Sequence, residues 1–300
     1  MLRMARAVGA LALATLVGLS GCMQVEQGTT LFPDGSGKIT MKIAIKKSML
    51  KMIEGFAKQF GGAEADPDKP KDGKALDPFE ELTSAESLAK NSEGIAAWKV
   101  GKKEEDADWI RLTNVGYFED VNKVKIYQAQ QPQPGAPAGE RTLSFAAKLE
   151  KTADGYVLTM KDDTRRELQQ IPGQGGPGGE NPDLNKAVLE MMKPMFQDLK
   201  VALSITVPGP IKEAQGFIEK KDRTATIAFD GETMLDVMAN PEGEKAKKLK
   251  SLAEAKEGRI TWTENQISDA DIAAFKKDME DAKESWKKTL EEAKKKSTKE

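Results

Sequence analysis

The chain runs to 300 residues, with 46 basic against 48 acidic side chains, one cysteine and no histidine. That composition excludes internal disulfides, zinc sites built on Cys and His, and nucleophile systems that need an imidazole base. The near-balanced charge leaves no electrostatic footprint for nucleic acid, and no metal or cofactor motif is expected. Folding must rest on buried apolar surface, which a chain of this length supplies as one large domain or two small ones.

The first residues carry Arg3 and Arg6 ahead of an uninterrupted apolar and small stretch from Val8 to Leu19. This is the charged and apolar pattern of an export signal, too short for a membrane span of about 20 apolar residues. It closes on Leu19-Ser20-Gly21-Cys22, which resembles the lipobox of bacterial lipoproteins. The resemblance implies cleavage between Gly21 and Cys22, diacylglycerol on the Cys22 thiol, and often a further acyl chain on the new amine. Two or more chains make such anchoring stable, at about 0.8 kcal/mol per buried methylene. Without Arg3 and Arg6 the remaining chain carries 44 basic and 48 acidic residues, a net charge of −4.

Met23 to Phe32 reads as a strand, and Pro33-Asp34-Gly35-Ser36-Gly37 as a turn. Ile39, Met41, Ile43 and Ile45 then alternate with Lys38, Thr40, Lys42 and Ala44 in a half-buried strand. Ser48 caps an expected helix with Met49, Met52, Ile53, Phe56 and Phe60 on its apolar face, stopped by Gly61-Gly62. Residues 61–76 read as a loop, and Asp77-Pro78 opens a short helix to about Asn91.

Strands follow at Ala97–Lys102, Trp109–Phe118 and Val124–Ala129, with a Pro-rich loop at 131–139. Leu143, Phe145, Ala147 and Leu149 alternate into the Asp154-Gly155 turn and a partner strand at Tyr156–Lys161. Residues 171–180 are too rich in Gly and Pro to bury anything.

Asn181-Pro182 starts a helix with Leu184, Val188, Met191, Met192, Met195 and Leu199 on one face. Strands are expected at 201–207, 211–219, 223–230 and 259–264, with a short helix around Met234–Met238. A second helix is expected from Asn240-Pro241 to Gly258. Ser268 and Asp271 open a long last helix whose inner stripe is Ile272, Phe275, Met279, Ala282, Trp286 and Leu290. Its Lys294-Lys295-Lys296 end is expected to fray.

The class is therefore α+β, a mainly antiparallel meander sheet with interspersed helices and a long C-terminal helix. The expected divisions are a signal peptide at 1–21, an α+β part at 22–165, a Gly/Pro-rich linker at 166–180, and a second α+β part at 181–300.

No pattern for catalysis emerges. Asp66, Asp68 and Asp72-Gly73 hint at a calcium loop, but Pro70 and Phe79 fall where oxygen ligands belong. Pairs such as Glu80-Glu81 and Glu291-Glu292 lie on polar helix faces. The methionines offer more, since soft, adaptable side chains suit a pocket for variable apolar ligands. Met49, Met52, Phe56, Met191, Met192 and Met195 are the candidate pocket residues. The same side chains would equally serve as ordinary core.

Cys22 followed at once by a strand, the Pro33–Gly37 turn and an alternating strand resembles the LppM-like bacterial envelope lipoproteins. Leu203-Ser204-Ile205-Thr206-Val207-Pro208-Gly209, with strands and a helix at Met234 behind it, is similar to the second half of that pattern. The chain departs from it by showing no C-terminal apolar span and by carrying inserts at 61–76, 131–139 and 171–180. The resemblance implies an α+β envelope domain with an apolar groove, and it carries over no functional residue.

The expected function is a non-enzymatic envelope lipoprotein, held on a membrane by acyl chains on Cys22, that binds a lipid or other apolar ligand. The alternative is an assembly lipoprotein that docks an envelope protein through the last helix or a sheet edge. An enzyme that works with carboxylates alone is the third possibility. Met23 stands where an Asp would signal inner-membrane retention in many Gram-negative cells, so an outer-membrane address is favoured.

Overall fold

The computed structural model describes residues 23–51, 84–128, 142–162, 193, 196–255 and 257–297. The expected signal segment, the loops at 61–76 and 131–139, and the linker at 166–180 lie outside the described residues. Among those described, no helix is long and apolar enough to cross a membrane.

The alternating run read from the sequence forms a hairpin. Strand β1 (Met23–Leu31) pairs antiparallel with β2 (Gly37–Lys46), so Met23, Val25, Gln27 and Thr29 face Ile45, Ile43, Met41 and Ile39. The Asp34 carboxylate holds the turn by accepting from the Ser36 amide at 3.1 Å and from its hydroxyl. Gly35 takes a φ of +83°, open only to a residue without a Cβ clash.

The chain continues through a helical turn at 47–51 and helix α1 (Ala85–Lys90), capped by Ser84 accepting from the Ser87 amide at 3.1 Å. Short strands β3 (Ser92–Glu93), β4 (Ala97–Lys99) and β5 (Glu104–Glu105) precede the long β6 (Trp109–Phe118). A 3₁₀ turn at Val121–Lys123 leads to β7 (Lys125–Gln128), β8 (Thr142–Thr152) and β9 (Gly155–Asp162).

After the linker come β10 (Lys200–Thr206), β11 (Ile211–Gln215), β12 (Glu219–Lys221) and β13 (Thr224–Asp230). Helices α2 (Gly231–Ala239) and α3 (Glu244–Glu254), strand β14 (Gly258–Trp262) and helix α4 (Asp269–Ser297) complete the order. Asn240 closes α2 instead of opening α3: its amide reaches the Asp236 carbonyl, and α3 begins after Gly243 with no side-chain cap. The last helix starts as read, with the Asp271 amide donating to the Ser268 hydroxyl at 3.1 Å. It stays helical through its Lys294–Lys296 end.

These strands make two sheets. The larger runs β12-β13-β10-β1-β2-β6-β4, with β5 also on β6; the smaller runs β11-β14-β9-β8-β7-β3. Among the described residues every pairing is antiparallel except one, β1 with β10, where Val25 aligns with Val201 and Thr29 with Ile205. The fold is thus α+β and mainly antiparallel, ending in a long helix. Strands from both sides of the 166–180 linker share both sheets, so the two sequence parts interlock through backbone pairing.

The main core lies between the sheets. Ile39, Phe118 and Ile205 of the larger sheet share it with Phe145, Leu158, Met160, Ile260 and Trp262 of the smaller one. Helix α3 adds Leu249, Leu252 and Ala253. Along β6, Phe118 enters this core while its neighbour Tyr117 turns to the other face, as strand pleating requires. There Tyr117, Trp98 and Phe32 receive Phe275, Met279, Ala282 and Trp286 of α4. Each such large apolar side chain contributes about 1.5–3 kcal/mol when fully buried.

Candidate functional site

The residues expected to matter are distributed unevenly. Gly21 and Cys22 lie outside the described residues, as do Met52, Phe56, Met191, Met192 and Met195 of the methionine pocket. Met49 is described and is 2% exposed. It packs with Ile43, Ile45, Ile110 and Leu112 on the larger sheet, a filled cluster with half-buried Met23 and Leu50 at its margin. Met234 is likewise core, buried with the inter-sheet residues, and Met238 packs partly against them.

The long last helix keeps its apolar stripe to itself. Phe275 stacks on Phe32 with ring centroids 4.0 Å apart, and its ring lies 6.2 Å from that of Tyr117. Ile272 and Leu290 flank the same cluster. The side of α4 that would serve a coiled-coil partner is therefore spent on the chain's own sheet. The free edge strand β12 reads Glu-Lys-Lys and is exposed throughout, a charged edge of the kind that discourages strand addition.

An open groove lies elsewhere, between the β11–β12 turn and α3. Gly216, at a φ of +73°, bends the chain so that Phe217 and Ile218 project beside the helix. The Ile218 amide donates to the Thr226 carbonyl at 3.0 Å, which fixes the turn on β13. From α3 come Lys247, Lys248, Ser251 and Leu252, with Ala255 just past its end. Spacings of three and four residues put these side chains on one helical face. The volume is about 470 Å³, within the range of small-molecule sites.

The lining divides into two chemistries. Leu252 is 4% exposed, and Phe217 and Ile218 pack against the inter-sheet core, so the floor is apolar and anchored. Lys247 and Lys248 are exposed at the rim and make no ion pair among the described residues. Their neighbour Lys245 is instead held 3.5 Å from Asp236. An apolar floor beneath two unneutralised ammonium groups and a hydroxyl accommodates a molecule with an apolar body and an anionic head.

Little in the sequence announces this groove. Phe217-Ile218 falls near the end of the expected 211–219 strand, and Lys247-Lys248 inside the helix expected between Asn240-Pro241 and Gly258. The local sign was an apolar pair directly after a glycine and between two charged strands, but its partner helix comes some 30 residues later.

No family model and no curated protein matches the chain. Among solved structures, the folded domain of Mycobacterium tuberculosis LppM, determined by NMR, is similar over 82% of this chain and 92% of its own length. Identity is 8% and the TM-score 0.31. An overlap of that size decides neither the fold nor the activity of this chain, and the LppM-like resemblance stands on the turn and strand residues quoted for it.

Proposed function

We propose that this chain is a non-enzymatic envelope lipoprotein, anchored through acyl chains on Cys22, whose folded domain binds an anionic amphiphile. The ligand's apolar part lies on Phe217, Ile218 and Leu252, and its acidic head meets Lys247 and Lys248. The observation that carries this reading is the pair of lysines without carboxylate partners over an apolar floor. Some other surface lysines are neutralised, as in Lys46 with Asp198 and Lys283 with Glu119. The inward-facing stripe of α4 favours this over docking of a protein through the last helix. The outer membrane remains the favoured address on the strength of Met23 after the anchor residue.

Two measurements test it separately. Labelled palmitate fed to cells should enter the wild-type chain and not Cys22→Ser; equal labelling would remove the lipoprotein. Mass spectrometry of organic extracts from the purified chain starting at Cys22 should find an acidic lipid. That lipid should be lost in Lys247→Glu/Lys248→Glu at unchanged thermal stability. An empty wild-type domain, or a double variant that keeps its lipid, would remove the groove as the binding site.

A further inference from the structure

The end of the larger sheet beside Met23 has a composition that the groove does not use. Cys22 is covalently next to Met23, about 3.8 Å away along the chain, and Met23 is already a paired residue of β1. No tether separates the acceptor cysteine from the folded body. Whatever sits beside the start of β1 is brought to the bilayer with it.

The ladder identifies those neighbours. Met23 pairs with Ile45, Ile45 with Ile110, and Lys46 with Trp109. Adjacent strands lie about 4.8 Å apart, so Trp109 sits about 10 Å sideways from β1 and nearly level with the anchor. Because it is level with the anchor along the strand direction, it reaches the polar zone flanking the roughly 30 Å hydrocarbon core when β1 stands upright on the bilayer.

Trp109 is also unlike the other tryptophans. Trp98, Trp262 and Trp286 are 3%, 1% and 7% exposed, whereas Trp109 is half-buried. The Lys46 ammonium stands 5.4 Å and the Arg111 guanidinium 5.9 Å from its ring centroid. An indole flanked by long cationic side chains is the composition found at membrane–water interfaces, where the ring meets the headgroups and the charged tips stay in water. The charges here are internally balanced: Lys46 pairs with Asp198, Lys47 with Glu105 at 3.2 Å, and Arg111 with Asp106. Such a surface gains little from anionic lipid and tolerates zwitterionic headgroups.

We infer that the sheet end formed by Met23, Lys46, Lys47 and Trp109 rests on the bilayer surface, with the Trp109 indole at headgroup depth. This rests on Cys22 being the anchored residue, and it deepens that reading by fixing which end of the domain faces the lipid.

The lone cysteine allows a direct test. The chain from Cys22 onward is coupled by its thiol to a maleimide lipid in phosphatidylcholine vesicles. Acrylamide then reads chiefly the half-buried Trp109 indole, because the other three are buried. Tethering should remove most of the acrylamide-accessible emission. Lipids spin-labelled near the headgroup should quench it more strongly than lipids labelled at the chain end, at low and at high salt. The quenched signal should be missing in Trp109→Phe. Emission that stays fully accessible to acrylamide and untouched by either spin label would overturn the inference. The coupling is chemical, so that outcome leaves acylation in cells to the palmitate experiment.

Discussion

The phenol of Tyr117 on β6 donates a 2.5 Å hydrogen bond to Oδ2 of Asp278 on α4, joining positions 161 residues apart in the chain. Tyr117 is 2% exposed, while the Asp278 side chain is half in solvent with Lys99 3.9 Å from its other oxygen. The bond therefore fastens the surface helix to a residue sunk in the sheet. Removing the hydroxyl in Tyr117→Phe leaves a carboxylate that water can resolvate, so the cost should be about 1 kcal/mol. Urea unfolding should show a lower midpoint at an unchanged slope.

The same latch should fail in alkali. Burial, followed by the Asp278 carboxylate, pushes the Tyr117 phenol up from its ordinary value near 10. A raised folded-state value means the contribution is complete below the unfolded pKa and drains away as pH rises toward the folded one. Stability should fall from about pH 10 upward, and this fall should be shallower in Tyr117→Phe. Thermal melts across that range check it.

Phe275 is the apolar half of the attachment. Its ring fills the space between Phe32 and Tyr117, so Phe275→Ala should cost about 3–5 kcal/mol. Hydrogen exchange should show the amides of α4 losing protection before those of β1 and β10. Loss of protection throughout the chain at once would make α4 part of the global unit instead of a separable layer.

Acid should act at the hairpin turn. Partial burial raises the Asp34 carboxylate, but hydrogen bonds from Ser36 and from Lys276 of α4 outweigh it and hold the group below its usual value. The Lys276 ammonium is 3.0 Å away. A lowered folded-state value gives stability that is present above the unfolded pKa and lost as pH falls through the folded one. The urea midpoint should therefore drop below about pH 4, less steeply in Asp34→Asn than in the wild type.

Gly37 should tolerate no side chain. A Cβ there would stand 2.2 Å from the Thr30 carbonyl oxygen and 2.5 Å from the Phe118 ring. The carbonyl belongs to the β1 backbone and has no room to withdraw. Gly37→Ala should cost about 1–3 kcal/mol or more, measured as a lower thermal midpoint.

How much of this was legible in the sequence depended on the range of the interaction. Alternation gave the Trp109–Phe118 strand with its observed bounds, and Ser268 with Asp271 marked the start of α4, because pleat and cap chemistry act within a few residues. Asn240-Pro241 misled because Asn serves a helix end as readily as a helix start. Tyr117 carried no signal of its own: the face of β6 it shares with Arg111 and Thr113 reads as solvated until α4 covers one end of it. The β1–β10 pairing was also invisible, since it joins segments with most of the chain between them and no local pattern records that choice. The groove between the β11–β12 turn and α3 contains none of the methionines put forward from the sequence for a pocket.

That central pairing bears on how the domain carries load. β1 is held by β2 from Met23 to Leu31 on one side and by β10 from Gln24 to Thr30 on the other. Tension applied at the Met23 end of β1 runs along the strand axis, so it must slide two ladders at once; it cannot peel one open bond by bond. β12, paired on one side only with β13, would yield by peeling. A body held by its most interior strand is mechanically graded, strongest at the point of attachment and weakest at its far edge.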